Sequence, residues 1–309
     1  MKKKIITILF NLLIISIANA ICFAVISDSH LEISNTLKPD TSRRISLSRT
    51  ILESAVEKIN NDPDIEFTII SGDLLNTPRP WNLDASHQIL DNLDKPYFVV
   101  IGNNDFSMAN SGLGISKTTF AQTFKEAQPN FSNNIWYKEF DNFLIIGVDN
   151  IDPITGGVIY TKKMNQNLDS ILEKNISKSK IFVVHYPLTE LNYFEDGNII
   201  NDQIKFLEKL KKNNVSLIIS GHYHYAELQT FGKLKHLIVP AIVEYPHEYL
   251  KISIDNNNIK IDPYPTLNKH TEDESLKKTN ARIKQIMNLD SSSSYDLILD
   301  KLSGKRILK

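Results

Sequence analysis

The residues best suited to chemistry in this 309-residue chain are imidazoles and carboxylates at the ends of short apolar runs. The run 181–184 ends in His185, and 217–219 is followed by Ser220-Gly221-His222-Tyr223-His224. A histidine just beyond a buried strand has a stiff backbone behind it, and two histidines two residues apart point the same way if the chain is extended. Such imidazoles suit a transition metal, and further ligands are expected earlier in the chain. Run 22–26 is followed by Asp28 and His30, run 67–70 by Gly72-Asp73, and run 97–101 by Gly102-Asn103-Asn104-Asp105. Singly, an aspartate there is commonly a turn or cap residue and a histidine a packed one. Seven ligand-type residues, each after an apolar run, are far less easily explained so. In an open α/β sheet the carboxyl ends of the strands converge on one edge, which places Asp28, His30, Asp73, Asn103, His185, His222 and His224 in one crevice. Imidazole with carboxylate suits Mn, Fe or Zn, whereas an all-oxygen set would suit Mg or Ca.

The elements that must position these residues follow from the apolar pattern. Runs 22–26, 67–70 and 97–101 are continuous and β-rich, as in strands buried on both faces. Ile45, Leu52, Val56 and Ile59 recur at helical spacing and predict a helix within 42–60, and further helices are expected over 83–93, 117–128, 164–175 and 200–212. Strands over 136–140 and 143–148 flank Asp141-Asn142, a hairpin signal. Beyond His224 the chain turns strand-rich, with 225–231, 234–239, 249–254 and 259–261. The alternation of strand and helix is the βαβ rhythm of an α/β protein. One domain over 21–266 is expected, followed by a polar tail over 267–309 with a helix near 272–287.

With 41% hydrophobic and 23% charged residues, the composition is that of a globular protein and excludes disorder or a coiled coil. The formal charge of −1 and a pI near 6.7, with dispersed Lys and Arg, give no field for a nucleic-acid polymer. Lys2-Lys3-Lys4, the apolar run 5–17 and Ala18-Asn19-Ala20 read as a signal peptide cleaved after Ala20, hence a periplasmic or secreted protein with no membrane span after cleavage. Cleavage removes three of 35 basic residues and none of 36 acidic ones, leaving 32 − 36 = −4. The single Cys22 excludes a disulfide framework and reads as a core residue of the first strand.

The order Asp-x-His, Gly-Asp, Gly-Asn-x-Asp, His and Gly-His-x-His resembles the calcineurin-like metallophosphoesterase family, from Phe23 to about Ile261. The resemblance implies a four-layer α/β/β/α sandwich of two mixed β-sheets, with two divalent metal ions at the strand ends. Asp28, His30 and His224 would hold one ion and Asn103, His185 and His222 the other, with Asp73 bridging both. A metal-activated hydroxide would then attack phosphorus in line. Purple acid phosphatases carry a tyrosine ligand three residues after the bridging aspartate; Asn76 stands there in this chain, which argues against a charge-transfer ferric site.

The departure from the family pattern is Asn104, which replaces a histidine commonly assigned to contact phosphate and protonate the leaving group. An amide can donate a hydrogen bond to phosphate but is no general acid near neutral pH. Either the leaving group is acidic enough to need no proton, or Tyr186, Tyr223 or a nearby histidine supplies it, or activity is low. The Gly-Asn-Asn-Asp variant resembles exported phosphodiesterases similar to acid sphingomyelinase. The expected activity is therefore hydrolysis of phosphodiester or pyrophosphate bonds in a small molecule such as a nucleotide or lipid head group. The alternatives are a phosphomonoesterase or nucleotidase that scavenges phosphate, and a catalytically weak metal-binding scaffold. Trp81, Phe106 and the loop 111–114 are candidates for a substrate pocket or for core; His87 reads as a surface residue, and His236 and His247 as structural.

Overall fold

The computed structural model describes residues 21–34, 40–108, 114–189, 202–255 and 258–287. The expected signal segment, residues 35–39, 109–113, 190–201 and 256–257, and the end of the tail lie outside them. Two mixed sheets are stacked face to face. In the first, strands β1 (Ile21–Ile26), β2 (Phe67–Ile70) and β3 (Tyr97–Val99) run parallel, and β10 (Glu248–Asp255) and β11 (Asn258–Pro265) extend it antiparallel in the order β11-β10-β1-β2-β3. The second contains β4 (Ile135–Glu139), β5 (Phe143–Val148), β6 (Ser179–Val184), β7 (Val215–Ser220), β8 (Glu227–Phe231) and β9 (Leu234–Ile238), in the order β4-β5-β6-β7-β9-β8. Its inner strands β5, β6, β7 and β9 are parallel, and the edge strands are antiparallel.

Side-chain alternation explains the layering. Phe23 and Val25 of β1, with Phe67 and Ile69 of β2, meet Ile145, Ile181, Val183, Leu217 and Ile219 between the sheets. Their neighbours Cys22, Ala24 and Ile26 face the other way, onto helices α1 (Ser48–Asn60), α2 (Pro80–Leu90) and α3 (Lys117–Thr123). On the far side Leu144, Ile146, Phe182 and Ile218 pack against α4 (Lys162–Lys174) and α5 (Gln203–Lys212). The result is four layers, helices, sheet, sheet and helices, as the resemblance implies. Each helix buries one stripe: Ile51, Leu52, Ala55, Val56 and Ile59 on α1, and Met164, Leu168, Ile171 and Leu172 on α4.

Boundaries differ from the sequence reading where end chemistry decides. Helix α2 starts at Pro80, three residues before the expected 83, because proline at the first position needs no amide partner and presets φ. The helix expected over 117–128 breaks at Phe124 into a 3-10 turn over Lys125–Ala127. A helix α6 (Lys269–Met287) comes after β11 and is tied down by Arg44 Nη1, which donates to Ser275 Oγ at 2.8 Å. No helix among the described residues is long and apolar enough to cross a membrane.

Candidate metal centre

Parallel strands deliver their carboxyl ends to one edge of each sheet, and the two edges meet. Asp28 and His30 follow β1, Asp73 follows β2, Asn103 and Asn104 follow β3, His185 follows β6, and His222 and His224 follow β7. The β1 and β2 exits run side by side, with the Asp28, His30 and Leu31 amides donating to the carbonyls of Gly72, Asp73 and Leu74 at 3.1, 3.1 and 2.8 Å. The sheets are joined by His185 Nδ1, 2.9 Å from the Ser71 carbonyl, and by the Ile242 amide, 2.9 Å from the Ser27 carbonyl. Gly221 must be glycine here: a Cβ would lie 2.2 Å from Ser27 Oγ and 2.5 Å from Asp28 Oδ2.

Backbone conformation corrects one expectation. His222 and His224 are not extended; their φ values are 70° and 61°. Asp28 (49°), His30 (42°) and Asp73 (49°) are left-handed as well. For non-glycine residues this costs on the order of 1 kcal/mol or more each, and such strain concentrates at functional sites. The sharp turns also separate the two histidines, which go to different clusters. Ligand atoms of Asp28, His30 and His224 form one group, and those of Asp73, His185 and His222 another, each within 4.8 Å of one another.

The spacing suits metal ions. For bonds of about 2.0–2.2 Å and angles between octahedral and tetrahedral, two donors on one ion lie about 3.0–3.5 Å apart. His30 Nε2 is 3.2 Å from His224 Nε2, which is 3.3 Å from Asp28 Oδ1. His185 Nε2 is 3.2 Å from Asn103 Oδ1 and 3.4 Å from Asp73 Oδ1, while Asp73 Oδ2 lies 3.8 Å from His30 Nε2. Asp73 thus presents one oxygen to each group. The donor set of imidazole, carboxylate and amide oxygen fits the borderline metals expected above.

Electrostatics show what the cluster does without ions. Burial favours the neutral form of every group, yet the Asp73 carboxylate and its hydrogen bond overcome this and push His185 up to about 9. Asp28 and Glu244 do the same for His224, also about 9. Burial dominates at His30 and takes it down to about 4. Burial would raise Asp28, but its contact with His224 lowers it to about 2, and His185 likewise holds Asp73 well below the usual carboxylate range.

Two residues behind the ligands were given no role from the sequence. Glu244 Oε1 lies 2.9 Å from His224 Nδ1 and accepts from Arg43 Nε at 3.1 Å, so it orients that ring with Nε2 toward Asp28 and His30. It sits in a Glu-Tyr-Pro turn twenty residues on, where only turn chemistry is legible. Replacing it with alanine should weaken metal binding about 10- to 100-fold in a calorimetric titration, the usual range for such a support. Asp105 is wholly buried and accepts from the Leu75 and Gly102 amides at 2.8 and 2.7 Å, fixing the β2 and β3 exits relative to each other. Burial, then the Asp73 charge, push it up to about 8.

Asn104 donates from both its backbone amide (2.8 Å) and its Nδ2 (2.5 Å) to Asp73. Tyr186 packs edge-on against His222, centroids 4.4 Å apart, and its hydroxyl donates to the Gly156 carbonyl at 2.6 Å. That proton is committed, which removes Tyr186 as the simple proton source. Tyr223 is buried against Ile238. His87 pairs with Asp91 on α2, and Phe106 is core, with Lys117 Nζ 4.8 Å from its ring centroid. Trp81 is half exposed beside Arg79. Within the loop 111–114 only Gly114 lies in the described residues. A 420 Å³ cavity lined by Lys117, Gln128, Phe131 and Asp149 includes none of the cluster residues.

With this geometry in view, the comparison with known proteins is decisive: residues 22–226 match the model of the calcineurin-like phosphoesterase family. The chain belongs to that family. It is a metal-dependent phosphoric ester hydrolase of a dimetal-dependent family. A relative from Xenorhabdus bovienii described as a "Probable cyclic nucleotide phosphodiesterase" is 25% identical over 194 residues, 60% of this chain and 72% of the relative. Two solved structures share the fold. A dimetal phosphatase from Danio rerio superimposes with a TM-score of 0.61 at 15% identity, over 80% of this chain and 97% of the other. The purple acid phosphatase PPD1 from yellow lupin gives 0.57 at 12% identity, over 81% and 52%.

Proposed function

We propose that this metallophosphoesterase is an exported enzyme that hydrolyses phosphodiester or pyrophosphate bonds of a small molecule. The observation that carries the reading is Asn104 beside Asp73. The position that would deliver a proton in the family pattern holds an amide, which can orient a phosphate oxygen but cannot protonate a poor leaving group. Substrates whose leaving group departs unaided are then favoured. The relative's description as a cyclic nucleotide phosphodiesterase supports diester chemistry; on such a substrate the leaving group is a sugar hydroxyl, and its proton must come from a group other than Asn104.

Asp28, His30 and His224 would hold one divalent ion, and Asn103, His185 and His222 the other, with Asp73 shared. When bound, such ions polarise phosphate oxygens and generate a nucleophile from water near neutral pH. The chain's own residues do the positioning. Asp73 spans both groups, Glu244 keeps the His224 ring in one orientation, Tyr186 buttresses His222, and the Asn104 amide lies where it can turn from Asp73 to a substrate oxygen. The deciding experiment compares bis-p-nitrophenyl phosphate, p-nitrophenyl phosphate, ADP and cyclic AMP with Mn²⁺ or Zn²⁺. Preference for the monoester would replace this reading with a phosphatase, and no turnover with both ions bound would make the protein a metal-binding scaffold. Export rests on the basic and apolar N-terminus, and sequencing of the mature N-terminus from the producing cell checks it.

If Asn104 limits protonation, Asn104→His should raise kcat for unactivated alkyl diesters by about 10²-fold, the lower range for general acid catalysis, and leave nitrophenyl esters nearly unchanged. Equal effects on both would refute the assignment.

A further inference from the structure

His236 lies on β9, wholly buried, on the sheet face opposite the inter-sheet core and directly across from Gln229 of β8. It belongs to neither ligand group, yet both its ring nitrogens reach elements that carry ligands. Nδ1 is 2.8 Å from the Thr189 hydroxyl, four residues beyond His185. Nε2 is 2.8 Å from the Ser220 hydroxyl, two residues before His222.

The directions of the four bonds that fix the ring's tautomer follow one from another. Gln229 Nε2 donates to Glu227 Oε1 at 3.0 Å, which turns Gln229 Oε1 toward Thr189 as an acceptor. The Thr189 hydroxyl spends its single proton there and can only accept from His236, so Nδ1 carries the ring proton. Nε2 is then the acceptor, and Ser220 donates to it. Burial pushes the His236 pKa down to about 3, consistent with a neutral ring.

We propose that His236 is a positioning residue: in its Nδ1–H form it clamps Thr189 to Ser220 and so sets the separation of the two strand exits that present His185 and His222. The chain of bonds runs from Ser220 through His236 and Thr189, all buried, to the partly exposed Gln229. In such surroundings a missing partner is costly and two arrangements of the exits are not equally good. The clamp joins the two exits that supply His185 and His222 of one ligand group; of the other group only His224 lies beyond Ser220, and its ring is held separately by Glu244. The Asp28, His30 and His224 group rests instead on the β1 exit and on Glu244.

The inference rests on the two-metal reading above, and its test separates the two. Long-range ¹H–¹⁵N spectra of the metal-free protein should show His236 protonated at Nδ1 alone. Thr189→Val, which keeps the shape and removes the hydroxyl, should weaken Mn²⁺ or Zn²⁺ binding about 10- to 100-fold at one of two equivalents. In a His30→Ala background, where the second group remains, the same loss should appear; in a His222→Ala background it should not. His236→Phe should reproduce the selective loss, and thermal melting shows whether each variant folds. Proton on Nε2, or equal affinity changes in both backgrounds, overturns the clamp. A wild-type protein binding fewer than two ions defeats the two-metal reading instead, and the tautomer alone then decides for or against the clamp.

Discussion

Asp73→Asn should lower kcat/KM on a diester by about 10³-fold or more and reduce bound metal below two equivalents, while the fold survives. The magnitude follows from how many partners share that one carboxylate. Asp73 is buried, and its two oxygens lie 3.4 Å from His185 Nε2 and 3.8 Å from His30 Nε2, one toward each ligand group. Both also accept from Asn104. Asparagine preserves volume but turns one acceptor into an NH₂ group. That group can neither ligate a cation nor accept from Asn104, so it faces a donor across about a hydrogen-bond length. Removing a single preorganised charge-stabilising group commonly costs 10²–10³ in rate, on the order of 3–4 kcal/mol, and Asp73 serves two sites at once. Steady-state kinetics with metal analysis on the same preparation gives the answer. Turnover within tenfold of wild type with two ions still bound would be incompatible with Asp73 as the shared ligand.

The second large effect concerns metal removal and pH. In the metal-free protein His185 and His224 are raised from 6.5 to about 9. A raised histidine contributes stability that is fully present below 6.5 and is lost as pH climbs through about 9. Asp28, lowered from 3.8 to about 2, contributes stability that is present above 3.8 and lost as pH falls through about 2. His30 and His236, lowered from 6.5 to about 4 and about 3 by burial, cost stability as pH falls below 6.5, because the unfolded chain takes up protons that the folded one does not. The chelated protein should therefore be most stable near pH 6.5, with a melting temperature that falls on the acid side and falls steadily from pH 6.5 to 9. Each ion must displace one of the two imidazolium protons, one per group. Affinity for each should accordingly rise about tenfold per pH unit up to about pH 9, with two protons released on filling both sites. Calorimetry in buffers of different ionisation enthalpy counts those protons. Release of none at pH 7 would show that the histidines are already neutral, and a flat melting profile would show that the ion pairs do not matter to the fold.

Much of the site was legible because strand ends announce themselves. The runs before Asp28, Asp73, Asn103, His185 and His222 are continuous and apolar, as parallel strands buried on both faces must be, and the residues just past such a strand lie at a sheet edge. The helices were legible in kind from their spacing but not at their ends, where Pro80 and the turn at Phe124 override the apolar stripe. Glu244 and Asp105 could not be recognised as supports, since a carboxylate behind a ligand differs from a surface carboxylate only in what the fold puts against it. His236 was legible only as a strand residue, which it is. What it holds together required the coordinates of three separate segments.

By its residue order alone, the chain determined the α/β class, the set of seven ligand-type residues and the amide at Asn104, because strand periodicity and side-chain chemistry are local properties; the four layers came from the resemblance to a known family. The family resemblance implied that His222 and His224 part company and that Asp73 faces both groups; the tertiary structure shows how the turns achieve it, and it alone decided that Glu244 and His236 stand behind the ligands. These depend on left-handed turns and on the meeting of two sheet edges, where residues over a hundred positions apart come within a few ångströms and no local pattern records it.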